Sequence, residues 1–258
     1  MNAVQDLWGG IANAQIWLYL AKSDIRGRYR RTVIGPMWTA LNALVFVVII
    51  ALVYSQFWGQ SPAEFLPYVA AGYFVWIFIS TCFLEGCGIY YISGAFLKTA
   101  PISPIVFNMR VIVRNLIVFA HSLFVYVFIA LFAKVSLVNI LWVVPGMFLL
   151  ALFCFAMSVI LSVLCSRYRD FEQVVTSVIL AAFFVTPILY EASMLGEKTP
   201  LILRLNLFTY LIDIVRQPML GYPPNLQSYM ICALATLVAL IIALVTYSMT
   251  RKRLYLWI

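Results

Sequence analysis

The stretch KSDIRGRYRRTVIGPMW, Lys22 to Trp38, decides the fold because charge and hydropathy change abruptly within it. Five of the chain's 17 Lys and Arg residues fall in ten positions, namely Lys22, Arg26, Arg28, Arg30 and Arg31. A Gly-Pro pair follows, and then an almost unbroken apolar run to Phe57. A basic cluster directly before about 20 apolar residues is typical of a helix that enters a membrane from the cytoplasmic side. The stretch therefore predicts a helical membrane protein.

The composition supports the same interpretation. The 258 residues are 65% hydrophobic and only 10% charged, whereas a soluble domain is about 25% charged. A net charge of +8 is also found in nucleic-acid binders, but here the cations lie in clusters between apolar runs and not on one polar surface. The five cysteines have neither disulfide nor CxxC spacing, so we interpret them as packing residues.

We expect an all-α polytopic fold with six transmembrane helices. The apolar stretches lie near 36–57, 66–85, 107–132, 139–165, 173–190 and 227–249. All but four of the 17 cations fall in linkers on one side of these spans, which places both termini in the cytoplasm. The expected organisation is one domain over 1–258, with an interfacial segment 1–34, a six-helix region 35–250 and a cytoplasmic tail 251–258.

The segment before the first span has the pattern of an amphipathic helix. One narrow helical face carries apolar side chains, and the opposite side carries polar ones. The apolar set is Leu7, Ile11, Ala14, Leu18, Ala21 and Ile25; the polar set is Asp6, Asn13, Ser23 and Asp24. The pattern predicts a helix in the cytoplasmic interface, with its cations toward anionic lipid or a partner. The alternative is a plain positive-inside anchor.

Two linkers are too apolar to be simple loops. The cytoplasmic stretch 86–104 begins with Gly and ends with Pro, and its middle predicts one short helix; the alternative is a disordered loop that leaves Phe96 and Leu97 exposed. On the outer side, 191–225 is mostly apolar yet carries Arg204, Asp213 and Arg216. We expect short re-entrant helices there, with Asp213 and Arg216 paired at i, i+3 spacing.

The residues needed for catalysis are missing from the pattern. The spans carry essentially no carboxylates, apart from Glu85 at the cytoplasmic end of the second, and the chain has one His. An enzyme would need a carboxylate pair, a metal cluster or a nucleophile–base set. The GEKT at 196–199 lacks the preceding glycine of a nucleotide-binding loop. We therefore expect no enzyme activity and no metal or cofactor bound by this chain, and a transport role would draw energy from a partner.

Polar and aromatic side chains in the spans are candidates for a transport path. One face of the third span carries Arg110, Arg114 and His121. These side chains either form a polar strip along a transport path, or the two arginines extend to the cytoplasmic headgroups and His121 is an ordinary core residue. The aromatic residues gather at the outer ends of the spans. The default explanation is a belt at the membrane–water interface, and the alternative is a path along which sugar rings move. The candidates to line a channel are Tyr54, Phe57, Trp58, Tyr73, Trp76, Arg114, His121, Phe183 and Phe184.

Several motifs together resemble a known family. They are RGRYRRTVIGPMWTALNAL at 26–44, RNLIVFAH at 114–121, RYRDFEQ at 167–173, TPILY at 186–190 and NLFTYLIDIVR at 206–216. The set is similar to permease subunits of ABC exporters for cell-surface polysaccharides, the Wzm, KpsM and TagG type. Within that family, the RNLIVFAH run favours the O-antigen exporters. The last motif usually reads Asn-Pro-Leu or Asn-Pro-Met, whereas here Leu207 follows Asn206 directly.

The resemblance implies roles for the non-spanning segments. It implies a homodimer with two ATP-binding subunits that hold ATP and Mg, a channel at the dimer interface and membrane lipid around it. The expected contacts to the ATPase are Tyr91, Phe96, Leu97, Lys98, Pro101, Arg167, Arg169 and Asp170. The expected exit gate is 199–217, with Asn206, Phe208, Tyr210, Asp213 and Arg216. The lipid-interface cations are Arg26, Arg28, Arg30 and Arg31. From the charge density beside the membrane, we hypothesise that an undecaprenyl pyrophosphate headgroup meets Arg28, Arg30 or Arg31.

The sequence therefore predicts a channel-forming subunit that moves lipid-linked O-antigen-type polysaccharide across the inner membrane, powered by ATP hydrolysis on a partner. Alternatives within transport are a permease for capsule, teichoic acid or a drug. Two alternatives come from other classes of protein. One is a membrane enzyme of polyprenyl-lipid metabolism, which the missing carboxylate constellation disfavours. The other is a structural subunit without a channel.

Overall fold

The computed structural model describes residues 3–59, 61–99, 102–190 and 205–257. Its regular elements are ten α-helices and one 3-10 turn, and the described ranges contain no strand, so the all-α prediction is confirmed. The helices are α1 (Ala3–Ala12), α2 (Ala14–Arg28), α3 (Met37–Trp58), α4 (Pro62–Ile92), α5 (Gly94–Thr99), α6 (Ile105–Phe132), α7 (Val143–Arg167, preceded by the turn Ile140–Trp142), α8 (Phe171–Val185), α9 (Leu207–Met219) and α10 (Leu226–Trp257).

Five helices are long and apolar enough to cross a membrane: α3, α4, α6, α7 with its turn, and α10. The span predicted at 173–190 differs, because α8 has only 15 residues. At 1.5 Å per residue it is about 22 Å long, against a hydrocarbon core of about 30 Å. The helix ends there because Pro187 follows Thr186, and a residue before proline is driven to extended backbone, as observed (φ −82°, ψ 136°). The sixth crossing stays a prediction.

The core is centred on α4 and α7, which pack against each other and against most of the other helices. The apolar windows of these two helices are 67% and 61% buried, compared with 22% for α3 and α10. All five cysteines are buried and free, which confirms that they serve packing. The peripheral helices therefore present large apolar surfaces to whatever surrounds the chain.

The predicted boundary at Gly86 is wrong, because α4 continues through Gly86 and Gly88 to Ile92. A Cβ on Gly86 would lie only 3.2 Å from the Cα of Ser158 on α7. The glycine thus permits two helices to approach closely, a common use of small residues between membrane helices. Only α5, which begins at Gly94, is the separate short helix expected in this linker.

The N-terminal segment forms two helices, with a break at Asn13, where one was predicted. Ala21 is buried, as expected for the apolar face, whereas Ile11 and Leu18 are exposed. The sequence pattern placed Asp24 on the polar side, yet this carboxylate packs against α6. Polar contacts therefore fix α2 to the helix bundle, and its position at the membrane interface stays a prediction.

Candidate functional site

Five charged side chains from α2, α4 and α6 form one ion cluster. Arg110 donates from Nε and Nη2 to the two carboxylate oxygens of Asp24, at 2.6 Å each. Arg114 donates from Nη1 to Asp24 at 3.0 Å and from Nη2 to Glu85. Arg28 donates to the second oxygen of Glu85 at 3.1 Å. The cluster ties the N-terminal segment to two transmembrane helices.

The ion cluster lies partly inside the protein. Arg114, only 8% exposed, sits at its centre, and its Nε has no partner within the described ranges. Arg28 is at the solvent side; burial works against its charge, but the hydrogen bond and the charge of Glu85 outweigh this and raise the pKa of the guanidinium. Arg110 and Arg114 are thus paired with carboxylates, an arrangement that neither sequence interpretation included. His121 donates from Nδ1 to the carbonyl of Ile117, at 2.7 Å, within its own helix.

A cavity of about 410 Å³ adjoins the ion cluster on the side of α8. Its polar lining comprises Arg28, Glu85, Tyr91, Arg110, Arg114 and Glu172. All four interface cations predicted from sequence are exposed, and only Arg28 among them lines this cavity. The arginine side chains give this cavity the chemistry to hold a phosphate oxygen.

Residues predicted to contact an ATPase come together from two linkers. The hydroxyl of Tyr91, at the end of α4, donates to Glu172 of α8 at 2.7 Å. The guanidinium of Arg169, in the turn between α7 and α8, lies over the Tyr91 ring at 5.7 Å from its centroid. The two linkers therefore form one connected surface, here called the coupling surface.

The remaining coupling residues occupy different environments. Leu97 is buried and Phe96 is 61% exposed, so the short helix α5 covers one of its two large apolar side chains and presents the other. Arg167 lies over the ring of Trp257 at 5.4 Å. Lys98 and Asp170 are exposed, and Pro101 lies outside the described residues.

An aromatic cluster joins α4, α8 and α9. Trp76 lies 5.8 Å from Phe183 and 5.5 Å from Phe208, measured between ring centroids. Tyr73 lies 6.1 Å from Phe183, and Phe184 extends the row at 5.4 Å. Trp76 is only 5% exposed, whereas Phe184 is 64% exposed. The cluster thus reaches from the interior of the chain to its surface on α8.

The other channel candidates lie apart from this cluster. Tyr54 of α3 is half-buried and contributes to the core. The side chains of Phe57 and Trp58 lie outside the described residues. Arg114 belongs to the ion cluster and His121 to the middle of α6.

The motif at 206–216 begins α9 without the proline that the resemblance led us to expect. The side-chain oxygen of Asn206 accepts a hydrogen bond from the backbone N–H of Phe208 at 3.0 Å. Its amide nitrogen donates to the hydroxyl of Thr186 at 2.9 Å. Asn206 therefore caps the helix and attaches it to the TPILY turn.

Arg216 fixes the same turn from the other end of α9. This side chain, 4% exposed, donates to the carbonyl of Pro187 and to Asp213, at 2.6 Å each. Its guanidinium lies 4.4 Å from the ring centroid of Tyr68, whose hydroxyl donates to the carbonyls of Pro187 and Tyr190. The predicted Asp213–Arg216 pair is confirmed.

Tyr210, the remaining gate residue, is half-buried against the core. The first part of the predicted gate, 199–204, lies outside the described residues.

The described ranges contain no group of three His, Cys, Asp or Glu side chains that could hold a metal ion. Four of the five ion pairs in these ranges join different helices, whereas Asp213 and Arg216 pair within α9. The five long apolar helices define the chain as a multi-pass helical membrane protein.

Residues 15–220 match the family model of the ABC-2 type transporter, and the chain belongs to that family. It is 22% identical over 189 residues to the O-antigen export system permease protein RfbA of Klebsiella pneumoniae, covering 72% of this chain and 73% of that protein. It is 25% identical over 191 residues to the protein of the same name from Myxococcus xanthus, with the same coverage of both chains. The resemblance seen in the motifs is thus confirmed, and the chain is a membrane permease subunit of an ABC transporter.

Proposed function

We propose that the chain forms the channel of an ATP-driven exporter that moves lipid-linked O-antigen-type polysaccharide across the inner membrane. The observation that carries this proposal is the likeness over 72% of the chain to proteins named as O-antigen export permeases. Both termini lie in the cytoplasm, a placement supported by the excess of cations on one side of the spans.

The transporter is a homodimer of this chain with two ATP-binding subunits. The family implies the ATP-binding partner, and the exposed apolar side chains of α3 and α8, such as Val45, Val178 and Phe184, offer a surface for the second copy. In the dimer α8 completes the sixth crossing. The channel between the copies then includes the exposed end of the aromatic cluster, Phe184, where sugar rings slide over aromatic faces.

The coupling surface transmits movement of the ATP-binding subunits to the transmembrane helices. Phe96, exposed on α5, and the α7–α8 turn are the contacts for the ATP-binding subunit. A push on either linker reaches α4 and α8 together, because Tyr91, Arg169 and Glu172 join them. Movement of α8 displaces Phe183 against Trp76 and thereby opens the path.

The gate on the outer side is α9. With 13 residues it is about 20 Å long, too short to cross, and it behaves as a re-entrant helix. Asn206 and Arg216 attach its two ends to the 186–190 turn that follows α8. The gate therefore moves with α8.

The lipid carrier enters at the cytoplasmic side. Its pyrophosphate meets Arg28, which lines the cavity of about 410 Å³, while Arg26, Arg30 and Arg31 lie toward the headgroup layer. If an Arg28→Gln/Arg31→Gln double variant assembles and exports normally, the headgroup proposal fails.

The function is tested by deleting the gene in its native host and locating the polymer. We expect surface polysaccharide to disappear while polymer accumulates on its lipid carrier inside the cell, and plasmid-borne wild-type chain to restore both. Loss without accumulation would mean that synthesis has stopped, and an unchanged surface would remove the proposed cargo.

A further inference from the structure

A second polar cavity lies between α1, the segment before α6 and the end of α10. Its volume is about 330 Å³. The polar groups that line it include Asp6, Asn13, Ser103, Tyr247, Arg251 and Lys252. We name it the α1–α10 pocket.

The fold builds the walls of this pocket through specific contacts. The hydroxyl of Tyr247 donates to Oδ2 of Asp6 at 2.6 Å, and the hydroxyl of Ser103 donates to the backbone carbonyl of Asp6 at 3.1 Å. A Cβ on Gly10 would lie 2.7 Å from the Cβ of Ile105, so α1 sits in close contact with α6. The pocket is therefore a fixed feature of the packing.

The charges of the pocket favour an anion. Arg251 has a buried Nη1 with no hydrogen-bond partner in the part of the chain that the structure describes. Lys252 adds a second cation. Among the described residues that line the pocket, Asp6 is the single carboxylate, and it already accepts from Tyr247. A buried guanidinium nitrogen without a partner is costly. An anionic oxygen in the pocket would remove that cost through a charge-assisted hydrogen bond.

An apolar stripe leads to the pocket along α10. Ile241, Val245, Met249 and Lys252 follow one another at helical spacing, and the three apolar side chains are exposed. The stripe is about 16 Å long at 1.5 Å per residue, which suits part of an acyl chain. On α1, Trp8 is also exposed, as expected for an aromatic residue at the membrane–water interface. An anion with attached hydrocarbon fits this arrangement better than a free phosphate ion.

We propose that the α1–α10 pocket binds the phosphate of an anionic phospholipid whose acyl chain lies along the stripe on α10. The site holds a resident membrane lipid and is independent of the exported cargo. Bound lipid fastens α1 to α10, in addition to the Asp6–Tyr247 hydrogen bond.

The test uses the chain purified with any subunits that accompany it, in nanodiscs of phosphatidylcholine with increasing phosphatidylglycerol. The readout is the midpoint of thermal unfolding. The variants are Arg251→Gln and Lys252→Gln, and the control is Arg253→Gln, an exposed cation of the same helix that does not line the pocket. Inorganic phosphate in pure phosphatidylcholine nanodiscs distinguishes a lipid from a free ion.

We expect phosphatidylglycerol to raise the midpoint of the wild type and of the control. Each pocket variant should need about tenfold more phosphatidylglycerol for half of the effect, as for the loss of one charge-assisted hydrogen bond. The proposal is overturned if all three variants respond alike, if the wild type does not respond, or if inorganic phosphate gives the full effect. Should Arg251→Gln not fold in phosphatidylcholine, the exposed Lys252 still provides the comparison with the control.

Discussion

Replacement of Arg114 by Gln tests how the N-terminal segment is attached to the transmembrane helices. The variant removes the bonds to Asp24 and Glu85 while keeping a polar side chain of moderate size. Arg28→Gln is the matched comparison, because it removes a bond to the same Glu85 from the solvent side.

The expected magnitudes follow from burial. Two charge-assisted hydrogen bonds contribute about 1.5–3 kcal/mol each. Both carboxylates lose a partner but keep another, Asp24 with Arg110 and Glu85 with Arg28. The loss of unfolding free energy for Arg114→Gln should therefore lie near the lower end of the range for two such hydrogen bonds, at about 3 kcal/mol. The Arg28 side chain is 49% exposed, so its replacement should cost about 0–1 kcal/mol.

The measurement is equilibrium unfolding in mixed micelles titrated with a denaturing detergent, with the free energy of unfolding compared across variants. Arg114→Lys should be intermediate, because an ammonium keeps the charge but cannot reach both carboxylates with a planar fork. If Arg114→Gln and Arg28→Gln lose the same free energy within about 0.5 kcal/mol, the ion cluster is not the attachment that we describe.

Three further substitutions test the packing and the coupling surface. Gly146→Ala should cost about 1–3 kcal/mol of unfolding free energy, because a Cβ on Gly146 would collide with a backbone carbonyl of α9. Gly9→Ala is the control, because a Cβ on Gly9 meets open space and should cost little. Equal losses of unfolding free energy in the two variants would contradict the close contact between α7 and α9. Trp76→Ala should cost about 3–5 kcal/mol of unfolding free energy, because Trp76 is buried. Trp8→Ala is the control, because Trp8 on α1 is exposed. A loss for Trp76→Ala no larger than that for Trp8→Ala would contradict the burial of Trp76. Tyr91→Phe removes only the hydroxyl bonded to Glu172, so polymer export should fall while ATP hydrolysis by the transporter persists; normal export would exclude this link from coupling.

The fold class and the long spans could be predicted because hydropathy and charge placement are local properties of the sequence. The cation cluster before Met37 marks the start of α3, and four other apolar runs became long helices. The fifth predicted span differs because Pro187 lies inside the apolar run at 173–190, and the proline limits α8 to Val185. The sequence predicts a boundary at Gly86, and the prediction fails because a glycine that permits helix contact has the same local pattern as one that ends a helix.

The ion cluster could not be predicted because its partners are far apart in sequence. Asp24 meets Arg110 across 86 positions, and Arg114 meets Glu85 across 29. The one local signal was the placement of Arg110 and Arg114 one turn apart on the same face. By contrast, the Asp213–Arg216 pair was predicted correctly, because both members lie on one helix at i, i+3 spacing.

The most direct test of the proposed function is transport in inverted membrane vesicles from the native host. Their cytoplasmic face points outward, so lipid-linked polymer made on that face is open to an added impermeant glycosidase. We predict that ATP moves labelled polymer into the lumen, where it becomes protected, only in vesicles that contain this chain. Equal ATP-dependent protection in vesicles that lack the chain would contradict its role as the exporting channel.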